Sequence, residues 1–160
     1  MRLACLLVYR LLQGVLTALT AFLLVPVCLQ IASRFTSLVP RYVWTEEVAR
    51  FTFVWIIMIG SMLAVRDGTH FDLDVFPKPK SARGRALSQA IKHVAMVAVA
   101  LTFVWFGIEF LQLGAEQESD LTGLNMAWVH GAWPVAGAVY LLFLVEKLAD
   151  DWRLWRGHRS

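Results

Sequence analysis

The sequence predicts an all-α integral membrane protein with four transmembrane helices and both termini cytoplasmic. Three observations carry this. The 160 residues are 58% hydrophobic and only 17% charged, with a mean hydropathy of +0.59, whereas soluble domains are nearer half apolar and a quarter charged. The apolar residues fall into four long blocks separated by short charged stretches, the pattern of a polytopic membrane protein. Within the blocks apolar residues occur all round a helical wheel, without the alternation of a barrel strand. The net charge of +3 is not a nucleic-acid signature, because the basic residues flank apolar blocks and do not line one soluble face.

Crossing the hydrocarbon core takes about 20 apolar residues as helix, which places the spans at about 11–32, 48–65, 93–113 and 127–148 of a single membrane domain, residues 1–160. The first holds only Gln13, Thr17, Thr20 and Gln30 as polar side chains, and Pro26 predicts a kink. Arg10 interrupts the N-terminal apolar run and the run beyond it is too long for a signal peptide, so a retained first span is expected. Cys5 and Cys28 are 23 positions apart, roughly 35 Å along one helix, so they cannot pair and are read as buried thiols. The second span is short and nearly pure, the third is rich in Ala and Val, and the fourth begins just before Pro134. Ala132 and Ala136, four apart, are small enough for close helix packing.

Lys and Arg set the orientation. The second loop and its flanks carry Arg66, Lys78, Lys80, Arg83, Arg85 and Lys92, and the C-terminal tail carries Lys147, Arg153, Arg156 and Arg159. The third loop, 114–126, has no basic residue and carries Glu116, Glu118 and Asp120. The positive-inside rule puts the second loop and both termini in the cytoplasm and the acidic loop outside. Tyr42, Trp44, Trp128, Trp133, Trp152 and Trp155 flank the spans as interfacial aromatics should. The basic stretch 78–89 reads equally as a short helix lying on lipid headgroups or as an ordinary loop. No internal repeat of the kind that builds transporter substrate sites is present.

Charged and polar residues near the membrane are the candidate sites. Thr45, Glu46 and Glu47 open the second helix as an N-cap followed by acids, suited to the positive end of its dipole. Glu46 and Arg50 stand four apart and can pair, which would offset the cost of an Arg one turn inside an apolar segment. Glu109 sits near the outer end of the third span, about one turn from its boundary, where snorkelling or a pair with another helix outweighs proton relay. His93 and His130 lie at span ends. At the exit of the second helix, "AVRDGTHFDLD" places His70, Asp72 and Asp74 at alternate positions. They read as the loop beyond a helix end that Arg66 closes. The alternative is a small membrane-embedded metal-dependent enzyme using His70, Asp72 and Asp74, but no second ligand cluster, HExxH, GxSxG or phosphate-binding loop accompanies them.

The stretch "WTEEVARFTFVWIIMIGSMLAVRDGTHFDLDVF" resembles the signature of the small transmembrane subunit of TRAP transporters, the tripartite ATP-independent periplasmic transporters (DctQ type). The matching positions are Glu46 and Glu47, Arg50, Trp55, Gly60, Arg66, His70, and Asp72 or Asp74. "NMAWVHGAWPVAGAVYLLF" is similar to the family's last helix, with Pro134 and Gly137. The resemblance implies a non-catalytic scaffold subunit, without a cofactor, in a bacterial inner membrane. Its implied partners are a large elevator-type membrane subunit and a periplasmic substrate-binding protein that delivers an organic acid for ion-gradient-driven uptake. The departure is the strongly acidic third loop, "GAEQESDLTGL", a candidate contact for a binding protein.

Overall fold

The computed structural model describes residues 2–36, 40, 42–67 and 82–157, with backbone alone for 2, 82–91 and 149–157. The described residues form five helices: α1 (Arg2–Phe35), α2 (Trp44–Asp67), α3 (Ala82–Ala115), α4 (Ala127–His130) and α5 (Ala132–Gly157). Among the described residues four segments are long and apolar enough to cross a membrane: Leu3–Phe35, Trp44–Asp67, Lys92–Ala115 and Ala127–Leu148. No strand occurs among the described residues beyond one isolated bridge, Glu118 to Asn125.

Each helix outruns the apolar block that predicted it, because good helix formers at the edges propagate an existing helix at little cost. α1 continues through Arg10 to the N-terminus and passes through Pro26 without ending. Its hydroxyls are satisfied on the spot: Thr17 donates to the Gln13 carbonyl at 2.9 Å and Thr20 to that of Leu16 at 2.8 Å, which lets them sit in an apolar span. Cys5 is buried as expected, but Cys28 is exposed on the outward side of α1. Of the stretch 78–89, the described part, 82–89, is the first two turns of α3 and continuous with it. The fourth span is divided at Gly131 into α4 and α5. Pro134, in the first turn of α5, removes an N–H that has no intrahelical partner there.

The helices pack in the spatial order α1, α2, α5, α3: α2 and α5 form the middle, α1 leans on α2 and α3 on α5. Met58, Met62 and Val65 of α2, Met96 and Ala100 of α3, Tyr140, Phe143 and Leu144 of α5, and Cys5 of α1 make one core. The α3–α5 contact is the tightest. A Cβ on Gly137 would lie 2.8 Å from the Val104 amide nitrogen and 3.0 Å from the Ala100 carbonyl oxygen, and one on Gly107 would lie 2.8 Å from the Pro134 nitrogen. Ala132 and Ala136 are fully buried in the core. Close approach through small residues is how helices gain dispersion energy in lipid, where no hydrophobic force drives them together. Trp133, expected at the interface, turns inward against Phe103 at 5.3 Å, whereas Trp128 stays 74% exposed.

Candidate functional site

Charged side chains collect toward the two ends of the bundle and tie the helices there, while inside it the Ser61 and Tyr140 hydroxyls bond to each other and join α2 to α5. At the end where α2 begins, Glu47 is buried, 3% exposed, while Glu46 is exposed. Ser119, in the loop between α3 and α4, donates its hydroxyl to Glu47 Oε1. The same Ser119 oxygen receives the backbone N–H of Thr122 at 3.3 Å and the Thr122 hydroxyl at 3.0 Å. Glu47 Oε2 is buried with no partner in hydrogen-bonding geometry. Arg50 approaches Glu47, not Glu46, at 3.8 Å, which corrects the expected i,i+4 pair: the inward carboxylate is three residues away, and Glu46 faces out. At that distance, with Arg50 two-thirds exposed, the pair is weak. Thr45 is not the N-cap either. The helix already starts at Trp44, and the Thr45 hydroxyl donates back to the Tyr42 carbonyl at 2.7 Å.

The acidic loop is thus an ordered turn latched onto α2. Ser119 N–H donates to the Leu124 carbonyl, and Gly123 N–H to that of Ser119, both at 2.9 Å. Gly123 takes φ +65°, a conformation nearly free for glycine. Asn125 joins the loop to both neighbouring helices: its Nδ2 donates to the Ala115 carbonyl at 2.9 Å, and its Oδ1 accepts the Ala127 N–H at 2.8 Å. Trp55 Nε1 donates to the Trp128 carbonyl at 3.0 Å, binding α2 to α4. Glu116, Glu118 and Asp120 all remain exposed on this scaffold.

At the opposite end Arg66 does not point out to solvent. Its guanidinium lies over the Tyr9 ring at 4.4 Å and the Phe143 ring at 5.5 Å, and Nη1 donates to the Cys5 carbonyl at 2.9 Å. One side chain of α2 therefore holds α1 and α5. Tyr9 donates its hydroxyl to Asp67 Oδ1 at 3.0 Å. Lys147 Nζ donates to the Val65 carbonyl at 2.8 Å, satisfying one of the carbonyls that a helix leaves open at its C-terminus.

Of the motif positions, Glu47 and Arg50 lie at one end of α2, Trp55 at its middle and Arg66 at the other end. Pro134 and Gly137 line the α3–α5 seam, and Gly60 has open space around it. His70, Asp72 and Asp74 lie outside the described residues. Among the described residues no group of three His, Cys, Asp or Glu is placed to hold a metal ion. Sequence reasoning missed Tyr9, Asp67, Ser119, Asn125 and Lys147. Only Asn125 carried a local signal, a side-chain acceptor just before a helix start.

The family model of the DctQ component of tripartite ATP-independent periplasmic transporters matches residues 23–154. The sialic acid TRAP transporter small permease protein SiaQ of Vibrio cholerae is 25% identical over 143 residues, 89% of this chain and 82% of that protein. The isethionate TRAP transporter permease protein DctMQ of Oleidesulfovibrio alaskensis is 27% identical over 114 residues, 70% of this chain but 18% of the relative. The sialic acid TRAP transporter permease protein SiaT of Haemophilus influenzae is 27% identical over 116 residues, 72% of this chain and 19% of the relative. This chain thus spans less than a fifth of the two long permeases. A transporter family of this kind sets aside the metal-enzyme alternative on His70, Asp72 and Asp74. The chain belongs to the DctQ component of the TRAP transporters, and it is a multi-pass membrane protein, a small permease subunit and not an enzyme.

Proposed function

We propose that this chain is the scaffold subunit of a TRAP transporter in a bacterial inner membrane. It braces a large elevator-type membrane subunit during ion-gradient-driven uptake of an organic acid delivered by a periplasmic binding protein. The observation that carries the reading is the bundle's interior. Met62, Ala100, Ala132, Ala136 and Phe143 are fully buried, so the middle of the bundle is filled mainly by apolar side chains, and the Ser61 and Tyr140 hydroxyls within it are spent on each other. The charged groups described above tie helices together toward its two ends. Such a body can hold a neighbour in place and, among the described residues, offers no charged midplane site inside the bundle for an anionic solute.

Two further facts support the assignment of partners. In DctMQ and SiaT the stretch similar to this chain is part of a far longer permease, which makes a large membrane subunit the natural neighbour here. Sialic acid and isethionate, named in the relatives, are both organic anions. The charge pattern favours cytoplasmic termini and puts the latched acidic loop on the periplasmic side. Its exposed Glu116, Glu118 and Asp120 then form a surface for the binding protein.

The experiment is co-expression with a tagged large subunit from the same operon. The two chains are expected to co-purify in mild detergent at a fixed ratio. Recovery of the large subunit without this chain, under conditions that keep both folded, would overturn the scaffold reading.

A further inference from the structure

We propose that the outward face of α3, centred on Trp105 and Glu109, is where a transmembrane helix of the large subunit docks, with a hydrogen-bond or charged donor set against Glu109. This rests on the scaffold reading above and names the surface it uses.

α3 is a flank of the bundle, packed on α5 through Met96, Ala100 and Gly107 and on α4 through Gly114, and open on its other side. The span Lys92–Ala115 has its midpoint between Phe103 and Val104. At the helical rise Trp105 lies about 2 Å from that midpoint and Glu109 about 8 Å, both inside a hydrocarbon half-thickness of about 15 Å. Trp105 is 71% exposed and Phe106 60% exposed, and Glu109 is exposed as well. Neither Trp105 nor Glu109 has a hydrogen-bond or ion-pair partner among the described residues.

Lipid is a poor neighbour for such a face. Trp belongs at the membrane interface, where its N–H stays wet, and Trp105 is at mid-depth. A carboxylate cannot take hydrogen bonds from acyl chains, and a Glu side chain is too short to snorkel that far to the headgroups. The outward hydroxyls of α1 and α3, by contrast, are satisfied by their own carbonyls: Thr17, Thr20 and, on this same face, Thr102, which donates to Ala98 at 2.9 Å. Next to Trp105 an open groove of about 430 Å³ is lined by Thr102, Phe103, Phe106, Glu109, Phe110 and Trp133. It offers room for side chains of a neighbouring helix beside the one carboxylate. Trp105 and Glu109 are four apart, so a single crossing helix can meet both.

The test places a photo-cross-linking amino acid at Leu101, Phe106 or, as the control, Val25 on the outward side of α1, in the co-expressed pair. An adduct with the large subunit is expected at positions 101 and 106 and not at 25. Separately, Trp105→Leu with Glu109→Leu should lower recovery of the large subunit at least tenfold while the thermal melt of the small subunit stays unchanged. If wild-type chains co-purify but positions 101 and 106 label only lipid or a second copy of this chain, the α3 face is wrong and the scaffold reading stands. The same holds if the double variant retains the large subunit in full. If wild-type chains fail to co-purify, the scaffold reading falls and this proposal with it.

Discussion

Replacing Gly137 by Ala should destabilise the isolated bundle, although Ala is the better helix former. The added Cβ would stand 2.8 Å from the Val104 amide nitrogen, 2.8 Å from Val104 Cγ2 and 3.0 Å from the Ala100 carbonyl oxygen. Ordinary Cβ contact begins at 3.4 Å, so α3 and α5 must part by about 0.6 Å at this point (3.4 minus 2.8). Two of the three atoms are α3 backbone, so no rotamer change relieves the clash. A gap of that size forfeits roughly a quarter to a half of each lost dispersion contact along the seam, and overpacking of this kind costs about 1–3 kcal/mol. Gly60→Ala is the matched control, since nothing lies within 4 Å of its would-be Cβ. Both variants gain the same helix propensity, up to about 1 kcal/mol, so their difference isolates the packing cost. Unfolding in mixed micelles titrated with denaturing detergent, followed by circular dichroism, should place Gly137→Ala about 1–3 kcal/mol below Gly60→Ala. Equal stability, or the reverse order, would refute the close-packed seam.

Three further outcomes are expected. Ser119→Ala removes the donor to Glu47 and should cost about 1–3 kcal/mol; amides of residues 116–126 should then exchange hydrogen faster, while Asp120→Ala, at an exposed position, leaves them unchanged. Arg66→Met removes a hydrogen bond to Cys5 and two ring contacts, each ring contact worth on the order of 1 kcal/mol, and should free the first turns of α1 for proteolysis without affecting the 116–126 latch. Arg50→Ala should weaken recovery of the large subunit more than Arg34→Ala does, because Arg50 carries an exposed charge within a membrane span; equal recovery by quantitative pull-down would remove that role.

The four spans were legible because about 20 apolar residues in a row have few other uses. Their true lengths were not, since Arg10, Pro26 and the segment 82–89 look like interruptions and a formed helix runs through them. Ala132, Ala136, Pro134 and Gly137 stood out by spacing and type. That Pro134 and Gly137 face Gly107, Val104 and Ala100 of α3 is a tertiary fact, and no local period reveals it. The Glu46–Arg50 pair was inferred from i,i+4 geometry alone. The buried position of Glu47 depends on Ser119, 72 residues away, and this drew Arg50 to the other acid. The loop 114–126 read as an acidic, water-facing connection because its charges dominate its composition. Its fold is set by Ser119, Gly123 and Asn125, whose partners are backbone groups that composition does not display. Arg66 was placed correctly at a helix end, but its seat between Tyr9 and Phe143 required three helices to be assembled.

The proposed division of labour is tested most directly by uptake into liposomes that hold the purified chains, with binding protein outside and an imposed cation gradient. Solute should accumulate only when this chain and the large subunit are both present, and not with this chain alone. Accumulation by this chain alone, or undiminished accumulation by the large subunit without it, would rule out a scaffold role.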